Sequence, residues 1–500
     1  MLVFVRTVAA MLLPARMTAL RILPAVRLHA PKNTAQGQAE KPPRDVTAQE
    51  GEFMSSRKEQ WGRLLAPYRK TRQGKDSAPL DVVRNPFVQD YDRIIFSSSF
   101  RRLAKKTQVH PLVRNDHIHN RLTHSLEVSC VGRSLGLQVG QALADKGHLP
   151  EGFTPDHLGQ IIQAGCLAHD IGNPPFGHAG EEAIRDWFKD TGHTEHYFKE
   201  LRPAERADFE AFDGNAQGFR VINTLENNKD AGGFRLTFPV LASLVKYPRS
   251  AHEALGQSSG KFNFYTAEQA IFTDIFTTLG LMRDDRARRH PLSYLLEAAD
   301  DICYRIIDME DARELRIITY QDIKNAMAPL LGDEDMDAGR LNAMDSDRRR
   351  SGMLRTRAMS CIIPSVVQTF LDNYEDIMNG TLQGDLLKHA EKDVADFMAS
   401  AKEVFNSKIM NNPQKTALEI GTYTLYKRLL DIFIPACFNF SKKNPMSYQE
   451  TRALTLMGSN APAEGECLYT AYLRVLDFVS GMTDDYATFI SQQFSGTAAQ

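Results

Sequence analysis

The sequence predicts an all-α fold with at most a small β-hairpin. Three observations carry that expectation. Apolar residues recur at helical spacing, alternating strand patterns are scarce, and Gly and Pro punctuate the periodic segments.

Taken in order, the first 39 residues hold Arg6, Arg16, Arg21, Arg27 and Lys32 and no acid. Residues 1–56 therefore read as an extension outside the fold: a targeting segment, a disordered arm, or a stretch upstream of a start at Met54. Ordered structure is expected from about Trp61. Leu126, Val128, Val131, Leu135, Val139 and Leu143 mark one amphipathic helix. A second, HLGQIIQAGCLAHDIG, stops at Gly172 and Pro174–Pro175. Helices are also expected over Ala267–Leu281 and Leu292–Leu315, and one short strand near Phe234–Phe238. The charged, weakly patterned stretch that follows suggests a helical accessory region. The expected division is a core over 57–325, an accessory region over 326–420, and a C-terminal helical region over 421–500 that packs on the core. The tail after Thr497 reads as frayed.

Bulk properties narrow the chemistry. The chain has 500 residues, 42% hydrophobic and 24% charged, with net charge -2, so a large core is available and no global basic field points to nucleic acid. The six cysteines lie far apart without a CxxC pair, which excludes a thiolate zinc site of the usual spacing and any disulfide framework. They read as reduced thiols, and the expected location is cytoplasmic with no membrane association. A metal would have to be held by histidine and carboxylate.

Such a set is present. LAHDIGNPPFGHAGEEAI ends an apolar helix on His169 and Asp170. Adjacent helical side chains diverge by about 100°. The two can share an ion only at the helix end, where the Gly172–Gly177 loop opens the backbone. His178 and Glu181 follow at i, i+3, so the carboxylate can orient the imidazole. His124 lies early in RLTHSLEV. Asp300 and Asp301 lie inside an apolar helix, where an unpaired carboxylate is costly. A lone HD dipeptide means little; the ordered set H…HD…D with GNPPFGHxGE means much more. Its mixed N/O donors suit Mn, Fe, Co, Ni, Zn or Mg, with Mn or Mg the metals expected.

The segments FSSSFRRLAKKTQV, RLTHSLEVSCVGR, AHDIGNPPFGHAGE, FDGNAQGFR, LASLVKYP, LEAADDICY and DFVSGMTDDYA resemble, in order, the deoxyguanosine triphosphate triphosphohydrolase family of the HD superfamily. The likeness runs from about residue 87 to 487 and is poor between Arg313 and Leu468. It implies an HD-domain helical core that splits deoxynucleoside triphosphates, dGTP favoured, into deoxynucleoside and triphosphate. It also implies His124, His169, Asp170 and Asp300 as metal ligands, with Asp300 chosen over Asp301, and His178 with Glu181 as the catalytic pair. Asn215, Lys246, Tyr247 and Lys261 would meet phosphate. Tyr304 and Asp308 would lie near the sugar, and Gln108 near the 3′-hydroxyl. Homo-oligomers are expected, with Arg474 able to reach a neighbouring site. Arg101 and Arg102 would serve phosphate or brace the fold. Two rivals stand beside this reading. One is another HD phosphodiesterase or nucleotidase. The other is binding of single-stranded DNA or a regulatory nucleotide through Arg348–Arg350, Arg355 and Arg357.

Overall fold

The computed structural model describes residues 56–71, 74–77, 79–80, 83–112, 115–226, 233–257, 260–332, 339, 341 and 343–496. The expectations for residues 1–55 and for the tail after Thr497 lie outside the described residues.

The fold is all-α. Helix α1 (56–64) begins five residues before the fully buried Trp61, whose indole donates to the Tyr374 hydroxyl at 2.8 Å. The only sheets among the described residues are two antiparallel hairpins, β1 (Tyr68–Thr71) with β2 (Gly74–Ser77) and, later, β3 (Met282–Arg283) with β4 (Arg286–Ala287). The strand expected near Phe234–Phe238 is absent. Thr237 makes an isolated bridge with Arg69, and a helix starts at Phe238. Pro239 cannot donate to a ladder, and the Thr237 amide and hydroxyl are captured by Asp90 at 2.9 and 2.6 Å.

Four helices place the site. α2 (Arg121–Asp145) starts on a capping box in which Asn120 and Thr123 bond each other's amides at 3.0 and 3.1 Å. α3 (Pro155–Ala168) runs back along it from a proline at its first turn. The two approach closely because α2 presents glycine every fourth residue. A Cβ on Gly136 would stand 2.8 Å from the Gly159 Cα, and one on Gly140 2.7 Å from the Pro155 Cα. Side chains there would force the helices apart. α4 (Gly177–Lys189) follows the loop after α3, and α5 (Pro291–Glu314) lies against α2 and α3, burying most of its length.

Two hydrophobic cores result. One joins α2, α3 and α5 to α6 (Asp347–Asp372) and α7 (Lys392–Val404). The other joins α4 to α8 (Pro413–Lys442), α9 (Leu468–Ser480) and α10 (Asp484–Phe494). The boundary expected at 420/421 falls inside α8.

Candidate metal centre

His124 sits one turn into α2 and is fully buried. His169 is the C-cap residue of α3, so its ring hangs off the helix end toward α2. The two imidazoles meet edge to face with centroids 5.4 Å apart. Asp300 reaches in from α5. Its Oδ1 is 2.9 Å from the His124 Nε2 and 3.4 Å from the His169 Nε2. The His169 Nδ1 donates to the Cys166 carbonyl at 2.6 Å, which leaves Nε2 to face the centre. Asp170 Oδ1 accepts from Arg121 Nη1 at 2.8 Å and from the Asn173 amide nitrogen.

Donor atoms of His124, His169 and Asp170 lie within 4.8 Å of one another, and Asp300 stands beside that trio. The Asp170 Oδ2 is buried with no hydrogen-bond partner. An unsatisfied buried carboxylate oxygen in this cluster is costly unless a cation takes it. The donor set therefore fits a divalent metal, and the pKa shifts point the same way. Burial works against a charged His169, yet Asp170 and Asp300 lift it to about 9. Burial raises the Asp170 carboxyl, and Arg121, His169 and His124 more than offset it, so the group stays anionic. The spot favours positive charge.

The loop after Asp170 turns through Phe176, a non-glycine residue at φ 63°, and releases α4 with His178 in its first turn. His178 is 71% exposed, and its Nδ1 lies 3.3 Å from the Glu181 Oε2. Glu181 is buried. It accepts the Gly214 amide at 2.7 Å and is flanked by Arg185 at 3.3 Å and Lys261 at 3.4 Å. Burial raises its carboxyl, but His178, Lys261 and Arg185 hold it well below the usual range. An anionic Glu181 orients the ring through Nδ1, and the His178 Nε2 lies 3.7 Å from Glu182 Oε1.

A cavity of about 300 Å³ joins the centre to this pair, with Asn215, Lys246, Tyr247 and Lys261 in its lining. Lys246 pairs with Glu297 at 2.8 Å, and Lys261 with Asp213 at 3.1 Å. Arg121, Lys246 and Lys261 face Asp170, Glu181, Glu297 and Asp300 across it, so carboxylates outnumber fixed cations until a divalent ion is added. Sequence reasoning missed Arg121, Asn173 and Glu297. Arg121 had a signal: it lies three residues before His124, on the same helix face.

The remaining expected residues stand elsewhere. Tyr304 is one turn beyond Asp300, but its ring packs on Phe405 at 5.5 Å, and it lies outside the cavity lining with Asp308 and Gln108. Asp308 is buried, and burial pushes its carboxyl far up. Arg101 and Arg102 lie outside the cavity lining and donate to the nearby Phe96 carbonyl and Ser98 hydroxyl. Arg474 pairs with Glu466 at 2.5 Å. In the basic run, Arg348 pairs with Glu314, Arg349 with Asp345, Arg350 with Asp347 and Arg355 with Glu310. Among the described residues, no helix is long and apolar enough to cross a membrane.

The HD domain family matches residues 121–231, a span that holds Arg121, His124, His169, Asp170, His178, Glu181 and Asn215 but not Lys246, Tyr247, Lys261, Glu297 or Asp300. Curated relatives match over much more. A deoxyguanosinetriphosphate triphosphohydrolase-like protein of Pseudomonas aeruginosa is 44% identical over 445 residues, covering 88% of this chain and 99% of the relative. Proteins of the same name from Synechocystis sp. and Listeria monocytogenes are 35% and 33% identical, each over 87% of this chain and 99% of their own length.

Proposed function

As the chain belongs to the HD-domain family of deoxyguanosinetriphosphate triphosphohydrolase-like proteins, we propose that it hydrolyses deoxynucleoside triphosphates at the Pα–O5′ bond, releasing deoxynucleoside and inorganic triphosphate. One observation carries the reading: a mixed His/Asp donor set, an imidazole–carboxylate pair and two lysines converge on one cavity of about 300 Å³. That volume is at the low end for ligand pockets. It suits a triphosphate with the nucleoside directed outward. dGTP is the favoured substrate because the relatives carry its name.

The bond is hard to break because the phosphates repel a nucleophile and the 5′-alkoxide leaves poorly. His124, His169, Asp170 and Asp300 would hold a divalent ion, Mn or Mg first, which would supply Lewis-acid withdrawal of charge from the α-phosphate. Arg121, Lys246 and Lys261 bind the chain of phosphates, with Asn215 and Tyr247 fixing its position. Water attacks Pα and gives up a proton to solvent while protonated His178 delivers one to O5′ as the Pα–O5′ bond breaks, and His178 is reprotonated from solvent. Glu181 holds the ring on Nδ1, so that Nε2 delivers the proton. Tyr304 and Asp308, further along α5 than Asp300, and Gln108, before α2, lie outside this cavity and would meet the sugar at its edge. A homo-oligomeric, cytoplasmic protein with a 57–325 core belongs to the same proposal.

The test is an assay of the four dNTPs and four NTPs with each divalent metal, products read by mass. Triphosphate released from dNTPs alone supports the reading. Release of orthophosphate or pyrophosphate supports the phosphodiesterase or nucleotidase rival.

A further inference from the structure

The C-terminal motif DFVSGMTDDYA has no assigned role in the site, yet it touches the loop that joins the two halves of the chemistry. Residues 171–177 connect Asp170 to His178. Three of their backbone groups are bonded by distant parts of the chain. The Asn173 carbonyl accepts the Lys106 Nζ at 2.6 Å. The Pro175 carbonyl accepts the Tyr426 hydroxyl of α8 at 3.1 Å. The Phe176 amide donates to the Asp484 Oδ1 at 3.0 Å. The brace closes on itself. Asp484 Oδ2 accepts the Thr107 amide at 2.9 Å, and Lys106 also donates to the Ser480 carbonyl at 2.7 Å. Lys106 and Asp484 are each 3% exposed.

Two details separate this from ordinary packing. Asp484 opens α10, but the capping of that helix falls to Thr483, whose hydroxyl accepts the Tyr486 amide at 3.2 Å. Both Asp484 oxygens are therefore used across the interface and not on their own helix. The loop residue they grip, Phe176, sits at φ 63°, a left-handed conformation that a non-glycine residue keeps only when its surroundings impose it.

We propose that Asp484, backed by Lys106 and Tyr426, positions the loop between Asp170 and His178, so that docking of the C-terminal helices sets the distance between the metal centre and the proton donor. The proposal rests on the functional reading above. It makes these three positioning residues; none touches substrate.

The test uses the full chain with Asp484→Asn, which leaves one of the two amides without an acceptor, and the milder Tyr426→Phe, which removes one hydroxyl. Ser447→Ala is the control, because Ser447 caps a helix of the same C-terminal region by accepting the Glu450 amide at 3.2 Å, away from the loop. Hydrogen exchange of the peptide over 172–178, calorimetric Mn²⁺ binding, and kcat with KM are measured for each. Expected for Asp484→Asn are faster exchange in that peptide, weaker Mn²⁺ binding, and a kcat lowered by roughly 10- to 100-fold, as for a misplacement of about 1 Å, with KM little changed. Tyr426→Phe moves each in the same direction by less, and carries the test if Asp484→Asn fails to fold. Ser447→Ala leaves all three unchanged. Exchange, Mn²⁺ affinity and kcat within twofold of the parent in both loop variants would overturn the proposal, as would equal changes in the control. A parent chain that cuts no dNTP while the loop variants still shift exchange and Mn²⁺ binding would sink the functional reading and leave the positioning role standing.

Discussion

The two hydrophobic cores contribute differently to the site. The first, around α2, α3 and α5, presents His124, His169 and Asp300. The second, around α4 and α8–α10, presents His178 and Glu181. Candidate metal ligands stand on one core, the proposed acid–base pair on the other, and a short loop spans the seam. The difference teaches a division of labour. Among the candidate ligands on the first core, the His124 and His169 side chains are 1% and 11% exposed and Asp300, 35% exposed, lies against both, whereas His178 is 71% exposed.

Variants on opposite sides of the seam should therefore fail differently. The largest effect is expected for Asp170→Ala. It removes a ligand and leaves Arg121 without its carboxylate. Metal polarisation is worth several kcal/mol, so kcat should fall by at least ~10³-fold with bound Mn²⁺ lost from the purified protein. Next comes His178→Ala, with turnover down by ~10²–10⁴-fold and Mn²⁺ content intact, read by elemental analysis. Loss of metal in the His178 variant would erase the distinction. Smaller again is Tyr304→Ala. Its preference for deoxy over ribo substrates should shrink by roughly 10-fold, and an unchanged ratio of kcat/KM values would remove the ring from sugar selection.

The cores should also differ in pH response. His290 caps α5 in the first core and is fully buried, donating from Nε2 to the Leu64 carbonyl at 3.1 Å. Burial lowers its pKa to about 4. The folded state thus binds fewer protons than the unfolded state between pH 6.5 and 4. Stability falls as pH drops through that window, by about 3 kcal/mol. Asp208, beside Phe209 in the second core, behaves oppositely. Burial raises it to about 7, although Tyr469 and Thr266 donate to it. Here the folded state binds the extra proton, so stability falls as pH rises from 3.8 to 7. Asp208→Asn should raise the Tm relative to the parent at pH 8 and not at pH 4. A gain of equal size at both would show that ionisation is not the cause.

Much of the first core's chemistry was legible in the chain. His169 and Asp170 are adjacent, a Gly/Pro loop ends their helix, and Asp300 and Asp301 sit in an apolar helix where a carboxylate needs a reason, whereas His124 stood out only through its place in the ordered set H…HD…D. The helical fold was equally plain from apolar spacing. The strand near Phe234–Phe238 misread an alternating pattern whose amide and hydroxyl at Thr237 are taken by Asp90. The grip of Lys106 and Asp484 on the catalytic loop could not be read, because partners hundreds of residues apart leave no local period. The tilt of Tyr304 onto Phe405 was hidden for the same reason: the ring's neighbour comes from a region with weak patterning.

The central claim is that the seam between the cores cleaves Pα–O5′ by attack of water at phosphorus. The direct measurement is a turnover in ¹⁸O-water with dGTP and Mn²⁺, products resolved by mass. The account predicts unlabelled deoxyguanosine and inorganic triphosphate carrying one ¹⁸O. Label in the 5′-hydroxyl, or orthophosphate or pyrophosphate as the initial product, would contradict it.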